Sequence, residues 1–135
     1  MERHLSPKTR FRWHTVKFHN LMWISIQYRM QTIKNIQNTI KENLAVMVYF
    51  SAPTCNVCHA LKPKLLDALK SNFSDFKVES VDISVEEDIA PHFGVFAIPT
   101  VLIFLDGKEF LRKSRHMSVD EVIREIKRPY EIMTS

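Results

Sequence analysis

The sequence predicts an α/β domain, a mixed β-sheet with helices packed on both faces. Three observations predict it. The apolar run Val46 to Phe50 is broken at Ser51 to Thr54, and a helical pattern opening on Cys55-Asn56-Val57-Cys58 follows at once. Further strand-like runs, Phe76 to Ile83 and Thr100 to Leu105, are reached through helical stretches, and such crossovers make parallel strands. Asp106-Gly107 then marks a tight hairpin and adds an antiparallel pair.

Each element has its own signal. From Thr32 the spacing is helical: Ile33, Ile36, Ile40 and Leu44 form one face, with Lys34, Asn35, Asn38, Lys41 and Glu42 opposite. Asn43 closes that helix and the strand Ala45 to Phe50 follows, where Pro53 prevents further pairing. The helix after the cysteines puts Ala60, Leu61, Leu65, Leu66 and Leu69 inward, and Pro63 lies within it as a kink. Asn72 to Asp75 is a turn before the strand Phe76 to Ile83. Ser84 is placed to cap a short helix, with Glu86, Glu87 and Asp88 in its first turn favouring the dipole rather than a metal. His92, Phe93 and Gly94 end that helix. Glu109 to Lys113 returns from the hairpin. Ser118-Val119-Asp120-Glu121 reads as a capping box, the last helix buries Val122, Ile123 and Ile126, and Pro129 stops it. The order is α-β-α-β-α-β-β-α.

Composition narrows the classes. A length of 135 residues is one domain with room for a full core. The net charge of +4 is uneven: residues 1–29 hold six Lys/Arg against Glu2, so the rest of the chain is slightly acidic. The folded part therefore offers no basic face, and no nucleic acid is expected as a partner. No apolar run approaches the roughly 20 residues of a membrane span, so no membrane role is expected either. Residues 1–29 are read as a basic extension. Leu21 to Ile26 is too short for a secretory core, and no A-x-A site follows. A transit-like peptide, an additional edge strand at Trp23 to Tyr28, or a translation start at Met30 are the alternatives, the last leaving residues 30–135 as the domain.

The chemistry centres on the two cysteines. A helix N-terminus carries unpaired N–H groups and partial positive charge, which stabilise a thiolate and lower the thiol pKa. The spacing lets the second sulfur reach the first within one turn. Cys55 is thus the attacking and Cys58 the resolving thiol of a redox pair. Zinc needs four ligands, and His59 points well away from Cys58 on the helix, so a metal site would require distant histidines or a second subunit; none is assigned. Two inert buried thiols are the remaining alternative. The strand-to-helix setting favours redox chemistry.

With these pieces in place, the chain resembles the thioredoxin family from about Thr32 to Lys127. The matching features are Y-F-S-A-P-T-C-N-V-C at the strand–helix junction, Pro63 in the next helix, Ile98-Pro99-Thr100, and Phe104-Leu105-Asp106-Gly107. The resemblance implies the thioredoxin fold, with a cis Pro99 lying against the cysteines and Ile98 offering backbone groups to a substrate strand. It implies a protein-disulfide reductase in which Cys55 attacks, a mixed disulfide forms, and Cys58 releases the product. Pro53, Thr54, Asn56, Val57, Ile98 and Pro99 would contact the substrate. No bound cofactor is needed beyond the redox-active disulfide. Electrons would come from a separate NADPH-dependent flavoprotein of the thioredoxin-reductase kind, and the partners would be disulfide-containing proteins. A monomer in the cytoplasm is expected, since two lone thiols suit a reducing compartment.

The departures from the family pattern are specific. Thr54 stands where the family has a tryptophan, and Asn56-Val57 replaces Gly-Pro. Tyr49 replaces a buried acid that helps move the proton of the resolving thiol, and Ser80 or Glu79 falls near its basic partner. Arg115 occupies the position of a groove glycine, which implies a narrower and more basic groove. Phe96 either lines the groove or packs in the core, and His59 either tunes the thiols or is solvated. The alternative function is a redox-inactive module that binds a partner along Ile98-Pro99.

Overall fold

The apolar run that begins at Ala45 forms the centre of a four-stranded sheet. In the computed structural model, which describes the backbone of residues 2–135 and the side chains from residue 21 onward, this run is β1 (Ala45–Ser51). It follows α1 (Glu2–Glu42) and leads into α2 (Asn56–Asn72). Then come β2 (Lys77–Asp82), α3 (Ile89–His92), β3 (Thr100–Leu105), β4 (Lys108–Ser114) and α4 (Val119–Thr134). The sheet order is β2-β1-β3-β4. β1 pairs in parallel with β2 and antiparallel with β3, which pairs antiparallel with β4. The mixed sheet and the element order agree with the sequence.

Burial explains why β1 and β3 are apolar throughout. Every residue of β3, and all of β1 except Ser51, is buried, as strands covered on both faces must be. Alternate residues feed two cores. On one face Ala45, Met47, Tyr49, Val101 and Ile103 pack with Cys58, Leu65 and Leu69 of α2 and with Val122, Ile126 and Tyr130 of α4. On the other, Val46, Val48, Phe50, Leu102 and Phe104 meet Ile36 and Ile40 of α1 and Ile89 and Ala90 of α3. The hairpin is tight because Asp106 (φ 53°) and Gly107 (φ 78°) both take the left-handed conformation, as the favoured two-residue turn requires. Ser118 caps α4 by accepting the Glu121 N–H.

Five expectations need correction. Trp23 to Tyr28 is not an edge strand but part of α1. Helical hydrogen bonding propagates outward from the turn anchored by Ile36 and Ile40, although Leu21, Trp23, Ile24 and Tyr28 remain exposed. The side chains of residues 1–20, which carry most of the extension's basicity, lie outside the described residues. Ala60 is exposed rather than inward. Ile123 is only partly buried. The run Glu86 to Asp88 is not a first helical turn: α3 begins only at Ile89, and no side chain caps it. Ser84 instead donates through its N–H and hydroxyl to the Asp82 carboxylate, at 2.9 and 2.6 Å. That local turn competes with helix nucleation. Finally, α4 continues through Pro129 to Thr134. Tyr130 anchors the continuation, with its ring 4.7 Å from that of Phe73 and its hydroxyl accepting the Asp75 N–H at 3.0 Å. This tertiary contact outweighs the hydrogen bond lost at the proline.

Candidate active site

The register brings the site together at one end of the sheet. Phe50 of β1 lies opposite Thr100 of β3, and Ser51 lies opposite Asp82 of β2. The chain leaving β1 toward the cysteines and the chain entering β3 from Pro99 therefore share that end. Ile83 joins them through its N–H, which donates to the Ser51 carbonyl at 3.0 Å.

Cys55 is the N-cap residue of α2, and its Sγ accepts the Cys58 N–H at 3.2 Å. A sulfur there meets the partial positive charge of the helix start, which favours the thiolate when the pair is reduced. Cys55 and Cys58 are joined as a disulfide, with Cα atoms 5.3 Å apart. The two sulfurs differ in access: Cys55 is half-buried and Cys58 is 1% exposed. Around them Pro53, Thr54, Asn56 and Val57 are all exposed. Val57, at 61%, presents an apolar side chain beside the disulfide. Among the described residues, no three His, Cys, Asp or Glu side chains gather to hold a metal ion.

The loop opposite is held firmly. The Ile98-Pro99 peptide is cis, as the resemblance implies. Pro99 is buried and Ile98 half-buried. Thr100, 1% exposed, donates from Oγ1 to the Ala97 carbonyl at 2.6 Å. Because that hydroxyl has one proton, Ser114 must donate to Thr100 Oγ1, 2.8 Å away. The Arg115 N–H donates to the Pro99 carbonyl at 2.8 Å, and Arg115 has a left-handed φ of 58°. This accounts for the glycine expected there, since the backbone contact needs a conformation that glycine adopts freely. The Arg115 side chain is exposed.

Tyr49 occupies the ground beneath the resolving cysteine. It is fully buried, and its hydroxyl donates to the Cys58 carbonyl at 2.8 Å. Burial pushes its pKa above the ordinary value, so the phenol stays neutral. It fastens the first turn of α2 to β1 and presents no carboxylate to the Cys58 thiol. Lys62 Nζ lies 6.0 Å from the ring centroid, at the outer limit of cation–π contact. Ser80 is the partner of Tyr49 across β1 and β2, and Glu79 accepts a hydrogen bond from Thr39 at 2.9 Å. Neither supplies a basic partner at the sulfurs.

Two residues left open by the sequence find their places. His59 is exposed, and its Nε2 lies 2.9 Å from the Pro53 carbonyl. A carbonyl only accepts, so Nε2 carries the proton and the ring braces the turn before the cysteines. Phe96 is 85% exposed, which removes the core alternative. Sequence reasoning missed Thr100, Ser114 and His59 as braces because their partners are backbone carbonyls or residues from another strand, and no spacing rule points to those.

The comparisons with known proteins agree with this geometry. The thioredoxin family model matches residues 27–128. Thioredoxin-like protein YdfQ of Bacillus subtilis is 33% identical over 103 residues, covering 76% of this chain and 91% of that protein. Protein disulfide-isomerase 1 of Caenorhabditis elegans is 40% identical over 80 residues, which are 57% of this chain and 16% of that longer protein. Among solved structures, thioredoxin 1 of Thermosipho africanus superposes with a TM-score of 0.60 at 32% identity, over 67% of this chain and 99% of that one.

Proposed function

Because this chain belongs to the thioredoxin family and is a thiol–disulfide oxidoreductase, we propose that it reduces disulfides in partner proteins, with Cys55 as nucleophile and Cys58 as resolving thiol. The observation that carries the assignment is their unequal access: Cys55 is half-buried at the helix N-cap, and Cys58 is 1% exposed beneath it.

The exchange proceeds in two steps through a mixed disulfide. The Cys55 thiolate attacks one sulfur of the substrate disulfide. A mixed disulfide forms as the other substrate sulfur leaves as thiolate and takes a proton. Cys58, having lost its proton, attacks Cys55 Sγ and expels the second substrate thiol. Two electrons pass to the substrate, and the Cys55–Cys58 disulfide remains. Among the described residues no buried carboxylate stands beside Cys58, so in this reading its proton passes to the thiolate that the first step releases. Pro53, Thr54, Asn56 and Val57 on one side and Ile98 and Pro99 on the other form the substrate surface in this reading.

A separate flavoprotein reductase drawing on NADPH is the proposed electron source. A cytoplasmic monomer is the proposed setting, since the two cysteines are the only ones in the sequence and suit a reducing compartment. Residues 30–135 are proposed as the working domain. In support, every buried residue among those described lies at Ile36 or beyond.

The roles are tested by trapping. Cys58→Ser, incubated with a disulfide-bonded protein such as insulin, should accumulate a covalent adduct through Cys55, read by intact mass and reversed by dithiothreitol. Equal adduct formation through Cys58 in a Cys55→Ser protein would reverse the assignment.

A further inference from the structure

Two restraints hold the turn that presents Cys55 to α2, and only one of them survives reduction. Ala52, Pro53, Thr54 and Cys55 form a β-turn, closed by the Cys55 N–H, which donates to the Ala52 carbonyl at 3.0 Å. Proline stands at its second position, where its fixed φ suits such turns. The Pro53 carbonyl takes no part in the closing bond.

His59 takes that carbonyl. It stands one helical turn after Cys55, and its backbone N–H donates to the Cys55 carbonyl at 3.3 Å. Residues four apart on a helix share a face. From there the imidazole reaches back to Pro53, with Nε2 2.9 Å from the carbonyl oxygen. Among the described residues, no other side chain hydrogen-bonds to the backbone of the turn. Nε2 carries a proton both in the neutral tautomer that makes this bond and in the imidazolium, so the bond does not depend on the charge of the ring.

The two restraints act in different redox states. While the Cys55–Cys58 disulfide is closed, a covalent link already ties the turn to α2, and the imidazole bond is redundant. Once it opens, nothing covalent keeps the Cys55 sulfur at the helix end. There Sγ accepts the Cys58 N–H, at 3.2 Å, and the partial positive charge of the helix start stabilises a thiolate only while the sulfur stays in place. The bond from His59 to Pro53 is then the side-chain tie between turn and helix. A contact that matters in one state only shifts the equilibrium between the two states by its own worth.

We propose that His59 is a positioning residue for the exchange: its bond to the Pro53 carbonyl holds Cys55 at the N-cap after the disulfide opens and so favours the reduced form of the pair, which rests on the reading of Cys55 as the exchanging thiol. The protein is therefore a milder reductant than the same fold without that imidazole.

The test is a set of dithiothreitol redox titrations on the full-length protein, on His59→Leu and on His59→Gln, read by alkylation and intact mass. Each titration moves two electrons and two protons between the protein disulfide and dithiothreitol, so the midpoint reports the folded equilibrium. His59→Leu should be the stronger reductant by about three- to tenfold in that equilibrium, the ordinary worth of one hydrogen bond, or about 14 to 30 mV. His59→Gln, whose side-chain amide can donate to the same carbonyl without a ring or a charge, should restore the original midpoint. Denaturant melts give an independent reading. His59→Leu should lower the stability of the reduced protein more than that of the oxidised protein. The better helix propensity of leucine acts on both and cancels in the difference. The His59 side chain is exposed, so both variants fold. An unmoved midpoint, equal losses in the two redox states, or a His59→Gln protein that behaves as His59→Leu would overturn the proposal and leave the dithiol reading intact. Absence of any Cys55–Cys58 step in the unaltered protein would overturn that reading, and the role of His59 with it.

Discussion

Replacing Cys55 by Ser should reduce the turnover of protein disulfides by several orders of magnitude, to the rate without enzyme. A serine hydroxyl is a poor nucleophile at neutral pH without an adjacent base, and among the described residues none stands at this helix end: the His59 ring is committed to the Pro53 carbonyl. Cys58 cannot substitute for it, because it is 1% exposed under the first turn of α2. The fold should survive. The disulfide closes a loop with a sequence separation of only 3, and so short a loop restrains the unfolded chain less than a long one. Insulin reduction, followed with the melting temperature of the same sample, checks both halves. Unchanged biological activity in the Cys55→Ser protein would favour a binding module that uses the Ile98-Pro99 loop without exchange.

Tyr49 gives the second large effect, on stability rather than on chemistry. Tyr49→Ala removes a fully buried ring from the centre of β1 and the hydroxyl that braces Cys58. Emptying such a site should cost about 3–5 kcal/mol, a fall in Tm of about 10 °C or more for a domain of this size. Tyr49→Phe keeps the ring and loses only the hydrogen bond, worth about 1 kcal/mol. Denaturant melts of the pair separate cavity from hydrogen bond. The pH profile of disulfide exchange should be the same in Tyr49→Phe and in the unaltered protein, because the phenol donates to a carbonyl and not to a sulfur. A profile displaced by that change would give Tyr49 a direct part in proton transfer.

The sequence announced the elements whose signals are local. The apolar run Ala45 to Phe50, the Asp106-Gly107 turn and the Ser118 cap each act within a few residues, and each stands where its pattern puts it. The fully buried β1 and β3 were legible for the same reason, as runs without alternation. Elements decided by distant contacts were not legible. Nothing near Pro129 indicates that Tyr130 will find Phe73 and Asp75, so the helix end was placed too early. The acidic run resembled a helix start, but Ser84 bonds back to Asp82 and spoils it. Residues 21–30 lack an apolar period, and their helix extends from an anchored neighbour.

The site divides along the same line. The cysteines and the Ile98-Pro99 turn were readable from motif and spacing. The braces were not: Arg115 to Pro99, Ser114 to Thr100, His59 to Pro53 and Tyr49 to Cys58 all join residues far apart in the chain or reach a backbone carbonyl. Their common result is a disulfide and a facing loop both held from behind, with the apolar side chains of Val57 and Phe96 exposed to solvent.

The central claim is a dithiol at Cys55 and Cys58 that cycles with a disulfide and donates electrons. A redox titration tests it most directly. The protein is equilibrated in graded mixtures of reduced and oxidised dithiothreitol, free thiols are alkylated, and the labels are counted by intact mass. The account predicts one cooperative two-electron step that converts both cysteines together, at a potential near the roughly −270 mV of a reductase. A step nearer the roughly −120 to −180 mV of oxidants and isomerases would reverse the direction of electron flow. If no Cys55–Cys58 disulfide forms at any poise, the claim is contradicted.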